Sequence, residues 1–107
     1  MKKKRQKDQM SSVAPDYRDA RVGDIAVSMA GHDAGSLLVV VAGIDDQYVL
    51  VADGKRRKLI APKKKKMQHL SILTKLCDED TEMLKMREAN DSFLRKKLSA
   101  LDLESFT

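Results

Sequence analysis

Aromatic residues and cysteines are scarce in this chain. It contains no tryptophan, and its two tyrosines and two phenylalanines make up only 4% of the 107 residues. A core must therefore be built from Val, Leu, Ile and Met, which disfavours a large, rigidly walled substrate cavity. One cysteine, Cys77, excludes an internal disulfide framework and fits a reducing, cytoplasmic environment. The longest apolar run, residues 37–44, is less than half as long as a membrane span.

Positive charge, in contrast, is abundant and concentrated in two short segments. Residues 1–10 carry a net charge of +4 and residues 55–66 a net charge of +8, in a chain whose total is +5. Such clustering predicts a local anion-binding surface on an otherwise neutral or mildly acidic protein. Residues 1–19 show no periodicity and are expected to form a disordered basic arm, either a solubilising tail or a floating phosphate anchor. Polar residues follow its basic start, which argues against a secretory signal peptide.

Apolar patterns predict short strands at residues 25–29, 37–42, 48–52 and 69–73, and a turn after the third of these predicts a further strand at residues 55–60. The run at 37–42 is apolar on both faces and is expected to be a central strand. Asp53-Gly54 is a strong hairpin signal, so residues 55–60 are expected to return from it with their basic side chains projecting from the hairpin. Four or five such strands are too few for a sandwich. They predict a mainly β, small and strongly bent barrel over residues 20–76.

The period changes in the C-terminal segment, residues 77–107. Apolar side chains recur there at three- and four-residue spacings after an acidic start, which predicts an amphipathic helix over residues 80–101. The helix can break near Asn90, Asp91 and Ser92. Its apolar stripe either packs on the barrel or docks to another protein.

No arrangement of residues indicates catalysis. His32, His69 and Cys77 match no zinc-binding spacing, and nothing pairs a nucleophile with a base. Gly31 and Gly35 are not followed by the Gly-Lys-Ser/Thr of a phosphate-binding loop. The chain is therefore expected not to be an enzyme and to use no metal or cofactor.

Residues 55–58 and 63–66 place eight cations within 12 residues, with no acid among them. Clusters of this density contact phosphates, because each neutralised phosphate releases condensed counterions. Arg56 and Arg57 add planar forks for bidentate phosphate recognition. No aromatic residue lies in the basic segments, so base stacking is expected to be weak and binding to follow nucleic-acid backbone and shape. A nuclear-import-like signal or a membrane patch would use similar charges, but a hairpin lacks the basic helix face that membranes need.

Residues 22–35, VGDIAVSMAGHDAG, resemble the start of a KOW motif. The continuation through residues 48–54 (YVLVADG) to residues 62–70 (PKKKKMQHL) resembles one KOW group in particular. That group is the bacterial RNA-binding proteins related to the fourteenth large-subunit ribosomal protein of archaea and eukaryotes. The resemblance covers residues 21–73, about half of the chain.

The resemblance implies an SH3-like barrel that binds large-subunit ribosomal RNA in the cytoplasm, beside neighbouring ribosomal proteins. It implies no catalysis and no cofactor. The short apolar runs and the scarcity of aromatic residues add the expectation of no membrane and no small-molecule substrate. In the family, the glycine-bracketed loop and the hairpin tips face RNA. Carried over to this chain, Gly31 and Gly35 shape the loop, and Ser28, His32 and Asp33 lie at or near its contact surface. The charge cluster adds the other expected RNA-binding residues, which are Lys55, Arg56, Arg57, Lys58, Lys63, Lys64, Lys65 and Lys66. The basic arm lies outside the resemblance, and its charge alone predicts the secondary RNA contacts Lys2, Lys3, Lys4 and Arg5.

One departure from the family pattern changes which of these residues are expected to contribute most to RNA binding. Relatives commonly place Arg or Lys between the two glycines, where this chain has His32 and Ala34, so residues 55–66 are expected to dominate. Two alternatives stay open. The chain is either a protein-interaction module, with lysines that only aid solubility, or a transcription-associated KOW factor that binds RNA polymerase or nascent RNA.

Overall fold

The apolar segments pair into an antiparallel sheet. The computed structural model describes residues 20–105, with side chains to residue 101. The strands are β1 (Asp24–Ser28), β2 (Leu37–Gly43), β3 (Tyr48–Ala52), β4 (Lys63–Lys66) and β5 (Leu70–Lys75). Their order across the sheet is β4-β3-β2-β1-β5, so strands adjacent in the chain are mostly adjacent in space.

The sheet curls because its two edge strands are connected directly. A single 3-10 turn, Met67–His69, leads from β4 into β5. The amide of Met67 donates to the carbonyl of Gln47 at 2.8 Å, and the amide of Met29 donates to the carbonyl of His69 at 2.7 Å. Register shifts in the β1–β5 and β2–β3 pairs bend the strands further. The mainly β, barrel-like fold expected from the sequence is confirmed.

The sheet buries apolar side chains on both faces. The inner cluster is formed by Ala26, Leu38, Val40, Val49, Val51, Met67 and Leu70. The outer cluster is formed by Ile25, Val39, Ala52, Leu76, Leu84, Leu94 and Leu98. Strand β2 contributes to both clusters, since its side chains alternate between the two faces. This explains why its sequence is apolar throughout, and it confirms the central position expected for this strand.

The C-terminal segment forms two helices, α1 (Asp78–Lys85) and α2 (Asp91–Ser105). Helix α1 begins with three acidic residues, which suit the positive end of its dipole. Arg87 then adopts a positive φ of 60°, which turns the chain away from the helix axis. The Asn90 side chain accepts a hydrogen bond from the amide of Phe93 at 2.9 Å and so caps α2. The helix expected over residues 80–101 is thus divided in two. The break lies between Lys85 and Asp91, next to the expected position at residues 90–92.

Helix α2 packs on the outer face of the sheet. Leu94 is fully buried and Leu98 is 7% exposed, both within the outer cluster beside Ile25 and Val39. The apolar stripe of the segment therefore covers the barrel. Of the two uses that the sequence left open for this stripe, packing on the barrel is the one observed.

The strand expected at residues 55–60 is absent, and β4 forms at Lys63–Lys66, outside the expected strands. The cause is Asp53, whose carboxylate accepts the amides of Lys55 and Arg57 at 2.8 and 2.9 Å. Amides held in this way cannot join a β ladder, so the chain forms an irregular loop until Pro62. The expected disordered arm at residues 1–19 lies outside the described residues.

Candidate nucleic-acid interface

Four consecutive cations, residues 55–58, form an ordered loop after β3 that we call the basic loop. Besides the two amides bound by the Asp53 side chain, the carbonyl of Arg57 accepts the amides of Asp53 at 2.8 Å and Gly54 at 3.1 Å. Lys55, Arg56, Arg57 and Lys58 are all exposed. Their backbone is thus fixed by local hydrogen bonds while their charged groups face solvent.

Helix α2 holds the basic loop from the side. The guanidinium of Arg95 donates to the carbonyl of Gly54 at 2.7 Å, and the carboxylate of Asp91 accepts the amide of Leu59 at 2.8 Å. Gly54 has a φ of +83°, and a Cβ built there would lie 2.4 Å from the carbonyl oxygen of Asp91. Only glycine allows this approach, so loop and helix are fitted to each other.

The cations of the basic loop make no ion pair with any residue between 20 and 101. The ion pairs of that part of the chain join Asp33 to Lys63 and Lys65, and Asp80 to Lys97. Four positive charges are therefore available to an external anion without first breaking an internal contact.

The lysines of β4 divide by strand alternation. Lys65 is paired in register with Val49 and Lys63 with Val51, and both partners belong to the inner cluster. Lys64 and Lys66 take the opposite face, where the Lys64 ammonium lies 4.4 Å from the centre of the Tyr48 ring. Lys64 is exposed and Lys66 is half-buried.

Lys65 is not part of a solvent-facing surface, which corrects its expected place among the RNA-binding residues. It is only 6% exposed, and its ammonium donates to Asp33 Oδ1 at 2.8 Å and to the carbonyl of Ala30 at 2.7 Å. Lys63 lies 3.3 Å from the other oxygen of Asp33. A buried ammonium needs such a partner, because leaving it unpaired would cost several kcal/mol, on the order of 3–5.

Asp33 is accordingly held in its charged form. Burial alone would raise the pKa of this carboxyl, but hydrogen bonds from Lys65, Ser28 and Lys63 outweigh that effect. The pKa of Asp33 is therefore well below its usual value. Asp33 and Lys65 act as an internal brace between β4 and the loop that follows β1.

The glycine loop, residues 31–35, is shaped by positive φ angles of +86° at Gly31 and +90° at Gly35. The amide of Gly35 donates to the carbonyl of Ser28 at 2.7 Å. His32 and both glycines are exposed. Ser28 is only 1% exposed, with its hydroxyl within hydrogen-bond distance of Asp33 and of the carbonyl of Ala30. Its expected place on the contact surface is therefore wrong, because the hydroxyl serves the internal brace.

Most of the remaining expected contacts are exposed residues. Lys55, Arg56 and Gly35 line a common groove, whereas Lys63 lies against Asp33. The secondary contacts Lys2, Lys3, Lys4 and Arg5 lie outside the described residues. Sequence reasoning missed the roles of Asp53 and Arg95. The Asp-Gly pair was a local signal for Asp53, but no sequence signal connects Arg95 to a loop 41 residues earlier.

Two further observations concern residues 20–105 only. No three His, Cys, Asp or Glu side chains among residues 20–101 gather in a way that could hold a metal ion. No helix in that part of the chain is long and apolar enough to cross a membrane. Comparison with known proteins adds no family: no family model matches the sequence, and a search of curated proteins finds no relative.

Proposed function

We propose that this chain is a non-catalytic RNA-binding protein of the bacterial cytoplasm that associates with the large ribosomal subunit. In this proposal the basic loop and Lys64 and Lys66 on the outward face of β4 contact the ribosomal RNA backbone, and the glycine loop fits against the RNA surface. The observation that carries the proposal is the basic loop itself. Four exposed cations stand on a backbone that Asp53 and α2 hold in place.

Preorganisation is what distinguishes this loop from a flexible lysine tail. A tail must lose conformational freedom when it binds, whereas a loop that is already ordered loses little. Arg56 and Arg57 can each form two parallel hydrogen bonds to one phosphate, and the lysines act as point charges beside them. If the protein makes about six phosphate contacts, raising the salt from 50 to 200 mM should lower its affinity for RNA roughly 10³-fold.

The two aromatic side chains in the described part of the chain, Tyr48 and Phe93, support recognition of backbone over bases. The Tyr48 ring is covered by Lys64, and the Phe93 ring is half-buried with the Lys97 ammonium 5.4 Å from its centre. A stacking platform needs an open aromatic face, and both of these rings are partly buried with a lysine ammonium over one face. The choice of ribosomal RNA as the nucleic acid depends on the resemblance of residues 21–73 to KOW proteins.

A protein-interaction module is the second candidate, and one surface favours it. Ile60 is 92% exposed beside a groove of about 530 Å³ whose walls include Leu50, Leu59 and Pro62. Exposed apolar side chains next to such a groove are typical of protein contacts. In that case the lysines would serve only solubility. The other alternative, a transcription-associated role, would also place the chain on a partner other than the ribosome.

Sedimentation of a cell lysate through sucrose gradients, at low and at raised salt, tests the proposal. We expect the protein to migrate with large subunits at low salt and to leave them as the salt rises. A protein that stays at the top of both gradients contradicts ribosome association. Migration with RNA polymerase supports the transcription role, and a protein complex that survives nuclease treatment supports the interaction module.

A further inference from the structure

A groove joins α2 to the basic loop on the side where the glycine loop ends. Its volume is about 500 Å³. Three segments form it: the chain from Gly35 into β2, the start of the basic loop, and one face of α2. The residues that line it are Gly35, Ser36, Leu37, Asp53, Lys55, Arg56, Arg95, Leu98 and Ser99.

The groove is positively charged on two of its sides. Lys55 and Arg56 supply cations from the loop, and Arg95 supplies a third from the helix. The one acid of the lining, Asp53, already accepts two backbone amides through Oδ1. One N–H of Arg95 donates to Gly54, and a guanidinium has five such donors, so four remain for a ligand.

The walls suit a phosphate chain better than a bulky side chain. A Cβ built on Gly35 meets nothing within 4 Å, so the backbone there is open to close approach. Ser36 and Ser99 present small hydroxyl groups, which can donate to phosphate or ribose oxygens. Converging cations with small polar residues between them are the chemistry that recognises a sugar-phosphate backbone.

We propose that this groove holds a stretch of RNA backbone and that Arg95 and Ser99 of α2 contact it. The inference deepens the proposed function and rests on it. Helix α2 lies outside the part of the chain that resembles KOW proteins. Its polar face thus becomes the second wall of the RNA site, while its apolar face covers the sheet.

Two substitutions on neighbouring helix positions test the groove. Ser99→Glu places a negative charge in the lining, one turn after Arg95, whereas Ala100→Glu adds the same charge to an exposed position outside it. The measurement is the affinity for deproteinised large-subunit ribosomal RNA at fixed salt, with thermal unfolding to confirm that both variants are folded. We expect Ser99→Glu to bind about tenfold more weakly than Ala100→Glu, because it repels phosphate and neutralises Arg95.

Arg95→Gln provides a second readout, since a glutamine amide can still donate to Gly54. The slope of log affinity against log salt should fall by about 0.7–0.9, the loss of one phosphate contact. If the slope is unchanged in Arg95→Gln and the two glutamate variants bind ribosomal RNA with equal affinity, the proposal that RNA binds in this groove is wrong. The proposed function of the protein is not affected by that result. If the unaltered chain does not bind ribosomal RNA, the proposed function fails and the groove fails with it.

Discussion

The ammonium of Lys65 lies 2.8 Å from Oδ1 of Asp33, a residue 32 positions earlier in the chain. This pair divides a run of four identical residues into two roles. Lys65 braces the end of the barrel from within, while Lys64, its neighbour, is exposed. Composition and charge cannot distinguish the two, but strand alternation does.

Substitution of these neighbours should therefore give opposite results. Lys65→Gln removes the partner of a buried carboxylate and should lower the free energy of unfolding by about 3 kcal/mol. Lys64→Gln should leave stability nearly unchanged and weaken RNA binding several-fold. Urea unfolding and an RNA-binding titration of both variants check this. Equal destabilisation by the two changes would contradict the brace.

The Asp33 carboxyl should also make stability depend on pH. Because its pKa is lower in the folded than in the unfolded chain, it contributes stability above its unfolded pKa of about 4, and that contribution is lost as the pH falls below it. We expect the difference in unfolding free energy between the unaltered chain and Asp33→Asn to be largest near neutral pH and to shrink between about pH 5 and pH 2. A difference that does not change with pH would show that the charge of Asp33 is not what stabilises the fold.

Periodicity alone predicts most of the sheet. Strands β1, β2, β3 and β5 lie at or within a few residues of the expected positions, since each has an apolar pattern that matches its burial. Strand β4 was misplaced because four lysines carry no hydrophobic signal, and because Asp53 withdraws two amides from the expected ladder. The buried state of Lys65 depends on a contact with Asp33 that only the folded chain creates.

A methyl group at Gly54 should disturb the contact between α2 and the basic loop. Gly54→Ala combines a positive φ with a Cβ 2.4 Å from the carbonyl oxygen of Asp91, so it should separate α2 from the basic loop. We expect a loss of about 1–3 kcal/mol in stability. Gly43→Ala is the matched control, because its Cβ meets nothing within 4 Å. If thermal unfolding shows both variants to be equally stable, the close fit of helix and loop is contradicted.

The apolar side of α2 should stabilise the basic loop as well as the sheet. Leu94→Ala opens a cavity in the outer cluster and should cost about 2–5 kcal/mol. Leu73→Ala, at a side chain that is 52% exposed, should cost far less. Hydrogen exchange of the Leu59 amide, which donates to Asp91, reports on the loop. We expect faster exchange in Leu94→Ala only, and equal exchange in both variants would contradict a coupling between helix and loop.

The cluster of cations at residues 55–66 could be recognised from the sequence, whereas the contacts that hold its backbone in place could not. Eight cations in 12 residues mark residues 55–66 without any structure. The hydrogen bonds that Asp91 and Arg95 of α2 make to Leu59 and Gly54 join distant parts of the chain, so no local sequence pattern predicts them. Ser28 was assigned to the contact surface by resemblance, and it is buried because its hydroxyl binds Asp33.

The central claim is that the position of these cations, and not the net charge of the chain, binds ribosomal RNA. Two triple variants separate the possibilities, because each changes the net charge by the same amount. One reverses Arg56, Arg57 and Lys64 to Glu, and the other reverses Lys75, Lys85 and Lys96, three exposed cations elsewhere. Lys63 is left unchanged because its ammonium lies 3.3 Å from Asp33, so its reversal would disturb the brace.

The deciding measurement is the affinity of both triple variants for deproteinised large-subunit ribosomal RNA, with the slope of log affinity against log salt. The first variant should lose affinity by at least about 10²-fold, with a slope lower by about 2.7 for three lost phosphate contacts. The second should keep its slope and stay within several-fold of the unaltered chain. Equal losses in the two variants would contradict the account, since binding would then follow net charge alone.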